Sequence, residues 1–327
     1  MHHLNDLQGK NKMSDNKSRF SLINLFTVIL LLGQLMSFNS VAQSKNTTDT
    51  SIKHCFILFA DRVFDGFIVL ENAGVLFKDN KIIKVGDQNE LNKHCSRTMD
   101  LGDATILPGF IESHAHLAFQ NIPHEVVLKH GITTARDTGG PLIKSMGGNG
   151  TLRVLSAGPI IQAAGGYPLN IFGHSSHASS DPYDAIGIEV STIEQAQKVV
   201  QDLVDGGSVI IKISLEPGGE VGAPWMSSHG HGTPPSTPWP LLSLDIIKAI
   251  VVKAHSLNRK VAAHVGENTG VELALEGGVD EWAHIPCAEI REDLLHRAVA
   301  QNVTFVTTID TLSACAGIRI NMHKLSH

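Results

Sequence analysis

From about residue 105 the apolar positions follow two alternating rhythms. TILPGFIESHAH, GITTARD, TLRVLSAG, SVIIKIS, KVAAHV, DEWAHI and VTFVTTI are short runs rich in β-branched residues and read as strands. Several of the segments between them repeat their apolar residues every three or four positions. The clearest is STIEQAQKVVQDLVDGG, which predicts a helix. Ser191 and Glu194 form its expected capping box, and Ile193, Ala196, Val200 and Leu203 its apolar stripe. Gly206 and Gly207 are its expected stop. LDIIKAIVVKAHSLN and AEIREDLLHRAVAQN follow the same pattern. Strands alternating with helices predict a parallel sheet covered by helices. A long row of such units favours an α/β barrel of the TIM type over a doubly wound sheet. No GxGxxG follows a strand, which argues against a dinucleotide fold.

Earlier in the chain the style differs. Residues 55–107 hold short β-rich runs broken by Asp-Gly, Asp-Asn and Gly-Asp turns, which predicts a small antiparallel sheet unit. Residues 43–54 are polar and read as a linker. Before them, Lys10, Lys12, Lys17 and Arg19 precede the apolar stretch FSLINLFTVILLLGQLMSF and the small-x-small triplet Ser40-Val41-Ala42. That order predicts a secretory signal peptide over residues 1–42 and an exported, periplasmic or secreted protein. An uncleaved anchor at residues 20–38 is the alternative. Once the signal is cleaved, no stable membrane insertion is expected.

Composition narrows the chemistry. The chain has 327 residues, a net charge of −6 and only 5% aromatic residues, a poor match to a nucleic-acid surface. Its 18 histidines favour metal or proton chemistry. Cys55 and Cys95 flank the small sheet unit, and a bridge or two free thiols are equally open. Cys287 and Cys315 lack CxxC spacing, which argues against a thiolate zinc site.

Strand side chains alternate, so His114 and His116 share a face, as do Ile210, Lys212 and Ser214. His264 opposes Val261, Ala263 and Val265, and Trp282 is expected on the face of His284. If the aliphatic sides meet the helices, four imidazoles and one amine converge at the C-terminal ends of the strands, the active face of a barrel. A single histidine there is a common core residue, whereas the whole set fits poorly in a dry core. Imidazoles are the usual zinc ligands. His174, with His177, falls in a loop after the third strand and is the candidate substrate contact. His229 and His231 lie in the Gly/Pro-rich stretch 216–242, which reads as a long loop. Arg136 and Asp137 are expected to brace the second strand, and His255 to be structural.

ILPGFIESHAH, GITTARDTGG, a strand lysine, KVAAHV and GGVDEWAHI together resemble the metal-dependent amidohydrolase superfamily, in its imidazolonepropionase-like and Xaa-Pro dipeptidase-like branch. The likeness covers about residues 58–310, with Glu112 standing where aspartate is usual. It implies a (β/α)8-type TIM barrel over residues 108–327, preceded by a small β-sandwich-like domain over 55–107. It also implies two divalent metal ions, with zinc the expected species. His114 and His116 would hold one and His264 and His284 the other. Lys212, carboxylated to a carbamate, would bridge them. Lys212 and His264 are the implied catalytic residues. The implied reaction is hydrolysis of an amide, peptide-like or cyclic amide C–N bond by metal-activated water. A small molecule or short peptide is the implied substrate, nucleic acid is not, and an oligomer is possible.

The family's eighth strand supplies an aspartate, and only about twenty residues follow VTFVTTI. The expectation is therefore a barrel lacking its eighth strand, with the small sheet domain incomplete too; Asp310 is not assigned to the role. Two alternatives follow. One is an inactive truncated fragment. The other is a mononuclear deaminase or cyclic-amidine hydrolase of the same superfamily, in which Lys212 has no metal role.

Overall fold

The structure, a computed structural model, describes residues 55–173, 185–218, 237–286 and 289–309. Expectations placed on residues 1–54, His174, His177, His229, His231, Cys287, Asp310 and Cys315 lie outside the described residues.

The first sheet is built from β1 (Cys55–Phe64), β2 (Val69–Lys78), β3 (Lys81–Asp87), β4 (Thr98–Asp100) and β5 (Thr105–Ile106), with a single helical turn, α1 (Gln88–Leu91), after β3. Its first three strands form the expected antiparallel meander. Asp79 and Asn80, both at positive φ, make the two-residue turn between β2 and β3. The last two strands depart from expectation, because β4 and β5 run parallel to β1. The chain crosses back through α1 before it pairs again, and a crossover returns a strand in the same direction. Cys55 and Cys95 are bonded, and Ile57, Phe59, Leu76 and Leu91 pack around them.

The second sheet holds β6 (Phe110–Ala115), β7 (Ile132–Asp137), β8 (Met146–Gly148) and β9 (Thr151–Ser156), in the order β6-β7-β9-β8. Helix α2 (His124–Lys129) connects β6 to its parallel neighbour β7. A third sheet is wholly parallel. Its members are β10 (Ile160–Ala163), β11 (Gly187–Val190), β12 (Ile211–Leu215), β13 (Val261–Val265), β14 (Glu281–Trp282) and β15 (Thr304–Phe305), ordered β11-β10-β12-β13-β14-β15. Its connections carry α3 (Leu169–Phe172), α4 (Ile193–Asp205), α5 (Leu244–Ser256), α6 (Asn268–Gly277) and α7 (Glu292–Ala300). The amide of Val209 donates to the carbonyl of Ser156 at 3.0 Å, linking the end of β9 to the run into β12. The short strands β8, β10 and β11 were not among the expected ones; three or four residues show no usable period.

Alternation on β12 and β13 sets the core. Ile211, Ile213, Leu215, Val261, Ala263 and Val265 meet the helices in one cluster, with Val200 of α4, Ile247 and Ile250 of α5, and Val271 and Ala274 of α6. Each such side chain contributes roughly 1.5–3 kcal/mol. Their neighbours Ile210 and Ala262 turn the other way, into a small layer with Ala157 and Ala283. At Gly270 a Cβ would fall 2.3 Å from the carbonyl oxygen of Leu215, so α6 rests directly on the backbone of β12.

Two local expectations shift. The cap of α4 is Thr192, not Ser191: its hydroxyl accepts from the amide of Gln195, whose side chain accepts from the amides of Thr192 and Ser191. Ala196, Val200 and Leu203 are buried as expected, whereas Ile193 at the mouth of the helix is exposed. Trp282 also does not share a face with His284. β14 ends at Trp282, which stacks on Phe305 in the helix-facing core at 4.4 Å between ring centroids, and His284 lies beyond the strand. Among the described residues no helix is long and apolar enough to cross a membrane.

Thr192→Ala should lower stability by about 1 kcal/mol, and Ser191→Ala by much less, in denaturant unfolding. Opening the Cys55–Cys95 bridge, which spans 40 residues, should cost about 4 kcal/mol on the chain-entropy model. Cys95→Ser and added reductant should give the same downward shift in unfolding midpoint.

Candidate metal centre

His114 lies near the end of β6 and His116 just after it. Lys212 is the second residue of β12, His264 the fourth of β13, and His284 follows β14 by two residues. Lys212, His264 and His284 are buried, at 1%, 5% and 3% exposure. The structure brings these side chains together. The charge of Lys212 bears on all four imidazoles, and the His114 ring centroid lies 5.1 Å from that of His116 and 5.9 Å from that of His284.

Removal from water decides the charge state. Burial, followed by the Lys212 charge, holds His114 and His264 well below the ordinary imidazole value and brings His116 to about 4. His284 is depressed by burial, then by His264 and Lys212. The same desolvation brings the Lys212 amine down to about 7, with Glu281 pulling it up and Arg136 pushing it down. Neutral imidazole is the form that binds a cation.

Carbonyls fix which nitrogen is free. His114 Nδ1 meets the carbonyl of Ala283, and His116 Nδ1 meets that of Gly139 at 3.4 Å. A carbonyl only accepts, so both Nδ1 atoms carry the proton and both Nε2 atoms keep a lone pair. Those two Nε2 atoms face each other 3.2 Å apart. Nitrogens sharing one tetrahedral zinc at 2.0–2.1 Å are about 3.3 Å apart, so this pair fits a shared cation. In the second pair, His284 Nε2 lies 2.7 Å from His264 Nδ1, which is hydrogen-bond spacing. Those rings would open by about 0.6 Å to share an ion. Among the described residues no group of three or more His, Cys, Asp or Glu is set to hold a metal ion. The set is instead two imidazole pairs with a lysine as the fifth member.

The surroundings brace it. Arg136 Nε donates to the carbonyl of Ser113 at 2.7 Å, and its guanidinium forks onto the carboxylate of Glu281, tying β6, β7 and β14 together beneath Lys212. Asp137 accepts from the amide of Ala118 at 2.8 Å, and burial raises its pKa. Both residues brace the second strand, as expected. His255 pairs with Asp280, which also accepts from the amide of Val261, and is structural. Glu112 accepts from the amide of His114 at 2.8 Å. A hollow of about 480 Å³ bordered by Lys248, Lys260, Asp280 and Asn302 lies at the opposite, N-terminal ends of β13 and β14, away from these groups.

Sequence reasoning missed Glu216. Placed at the start of a loop, it is in fact 1% exposed, with Oε2 at 3.2 Å from His264 Nε2 and Oε1 accepting from the amide of Gly218. Extending the alternation of Lys212 and Ser214 by two residues would have found it. Burial raises its pKa to about 7, opposed by the Gly218 amide. Tyr167 was missed too. Its ring lies 4.6 Å from that of His264 and stacks on Trp239.

No family model matches the chain. A stretch of 56 residues is 43% identical to an imidazolonepropionase of Bdellovibrio bacteriovorus, which is 16% of this chain and 13% of that protein. The chain thus matches only a small part of this curated relative. Similar solved structures include a prolidase complexed with N-methylphosphonate-L-proline, at 19% identity and a TM-score of 0.56 over 81% of this chain and 73% of that one. A Xaa-Pro dipeptidase with bound methionine matches at 19% identity and 0.58, over 78% and 67%. The ochratoxinase of A. niger matches at 18% and 0.56, over 81% and 70%. At such identities the likeness to solved structures is one of fold. The local sequence match and the shared fold agree with each other: this chain is similar to an imidazolonepropionase over a short stretch and to prolidase and Xaa-Pro dipeptidase structures in fold.

Proposed function

We propose that the protein hydrolyses C–N bonds of amide, peptide-like or cyclic amide type in a small molecule or short peptide, as a metal-dependent enzyme. The observation that carries this reading is the pair of neutral imidazoles, His114 and His116, whose Nε2 lone pairs face each other 3.2 Å apart beside Lys212. Two lone pairs in that arrangement repel unless a cation lies against them. His264 and His284 would hold a second ion. Bound divalent cations polarise a carbonyl and make water a nucleophile near neutral pH.

The chain's own groups do the rest. An ammonium cannot ligate a cation, and the Lys212 amine, with its pKa near 7, is in part free base at neutral pH. A free amine adds to CO2, releasing one proton and leaving an anionic carbamate. That anion would offset the charge of the dications. Arg136 and Glu281 hold β6 and β14 in register below it. Burial excludes bulk water from Lys212, His264 and His284, while His114 and His116 are half-buried.

Three wider readings belong with this one. The second and third sheets are taken as staves of a (β/α)8-type barrel over residues 108–327. Residues 55–107 form its accompanying small β domain. Residues 1–42 are an export signal followed by a linker to 54; the Cys55–Cys95 bridge supports an oxidising destination.

Purified in zinc and bicarbonate, the protein should carry about two metal ions per chain by elemental mass spectrometry. It should also hydrolyse members of a dipeptide and cyclic-amide panel. Chelation should abolish turnover and zinc restore it. Lys212→Ala should remove activity, and withholding bicarbonate should lower it. One metal per chain with full activity in Lys212→Ala would instead favour the mononuclear deaminase class. A folded chain that takes up no metal would overturn the reading.

A further inference from the structure

Glu216 has no role in that chemistry, yet it is buried against it. A carboxylate placed in a dry interior costs several kcal/mol unless it is well partnered. Its two oxygens are both engaged: Oε1 accepts from the amide of Gly218, and Oε2 faces His264 Nε2 at 3.2 Å. The chain keeps room for it. At Gly266, just past β13, a Cβ would fall 1.6 Å from Glu216 Oε2 and 2.4 Å from its carboxyl carbon. Any residue but glycine there evicts the carboxylate.

The other side of the ring gives the arrangement its meaning. His264 Nδ1 points at His284 Nε2, 2.7 Å away. His284 Nδ1 lies 3.3 Å from the carbonyl of Ile285, so the His284 proton sits on Nδ1 and its Nε2 offers a lone pair. In the 2.7 Å contact the shared proton lies on His264 Nδ1; for the second pair to offer two lone pairs to one ion, the cation must take that proton's place and His264 must carry its proton on Nε2. A carboxylate at Nε2 selects that tautomer, because it accepts from an N–H and repels a lone pair.

We propose that Glu216 is a positioning residue for the metal centre: it accepts the Nε2–H of His264, so that this imidazole binds its cation through Nδ1, beside His284 Nε2. Gly266 is the companion that leaves space for the carboxylate. The proposal rests on the metal-dependent reading above. It adds the atom through which His264 acts and the residue that sets it.

The test measures zinc affinity of the full-length protein against a chromophoric chelator, alongside nitrogen NMR of the zinc-loaded wild type. Glu216→Ala should weaken binding about 10- to 100-fold. Gly266→Ala should do the same by displacing the carboxylate. Glu216→Gln retains an oxygen acceptor and should lose much less, a rescue that a merely space-filling role would not single out from a same-sized Glu216→Met. In the wild type His264 should show a metal-bound Nδ1 and a protonated Nε2. Coordination through Nε2 would overturn the proposal even if the variants fail to fold. So would wild-type affinity in Glu216→Ala. A wild type that binds no zinc would overturn the metal-dependent reading, and this proposal with it.

Discussion

The structure turns on one constraint: a parallel strand covered by helices must turn every other side chain away from them. On β12 and β13 the helix side takes Ile211, Ile213, Leu215, Val261, Ala263 and Val265. The opposite side therefore receives Lys212, Ser214 and His264, and Glu216 just beyond. Those groups lose water without gaining an apolar environment of their own. Desolvation then drives the imidazoles, and in part the amine, to their neutral forms. A set of neutral nitrogen bases is what apolar burial leaves when the sequence puts histidines and a lysine there. Neutral imidazole is also the form that binds a cation.

Neutrality alone does not aim a lone pair. Here the backbone does most of the aiming: the carbonyls of Ala283, Gly139 and Ile285 lie against the Nδ1 atoms of His114, His116 and His284. Two of these carbonyls come from the segment just past β14, and Arg136 with Glu281 ties β14 to β6 and β7. Breaking a buried pair of that kind costs about 3–5 kcal/mol. The brace is thus coupled to the geometry of the imidazoles through the strand that carries those carbonyls.

Much of this was legible in the sequence because period-two alternation survives wherever a strand is long enough to show it. β12 and β13 are five residues each, and the faces of Lys212 and His264 came out as expected. β14 is two residues long, so the same rule wrongly paired Trp282 with His284. Glu216 was lost because Pro217 and the glycines after it signal a loop, although the side chain still follows the strand's face. At α4 both Ser191–Glu194 and Thr192–Gln195 satisfy a capping pattern, and only the backbone decides between them. The parallel pairing of β4 and β5 is set by a crossover, to which local turn signals are blind. The same holds for the Cys55–Cys95 bond, which residue identity left open and tertiary proximity decides.

The central claim, a proposal, is that these five side chains form one centre for two cations. Zinc-edge anomalous diffraction from crystals grown with zinc and bicarbonate tests it most directly. The account predicts one anomalous peak against His114 and His116, a second against His264 and His284, and added density on the Lys212 amine. Crystals in which zinc binds elsewhere, with both imidazole pairs and the lysine unchanged, would contradict it.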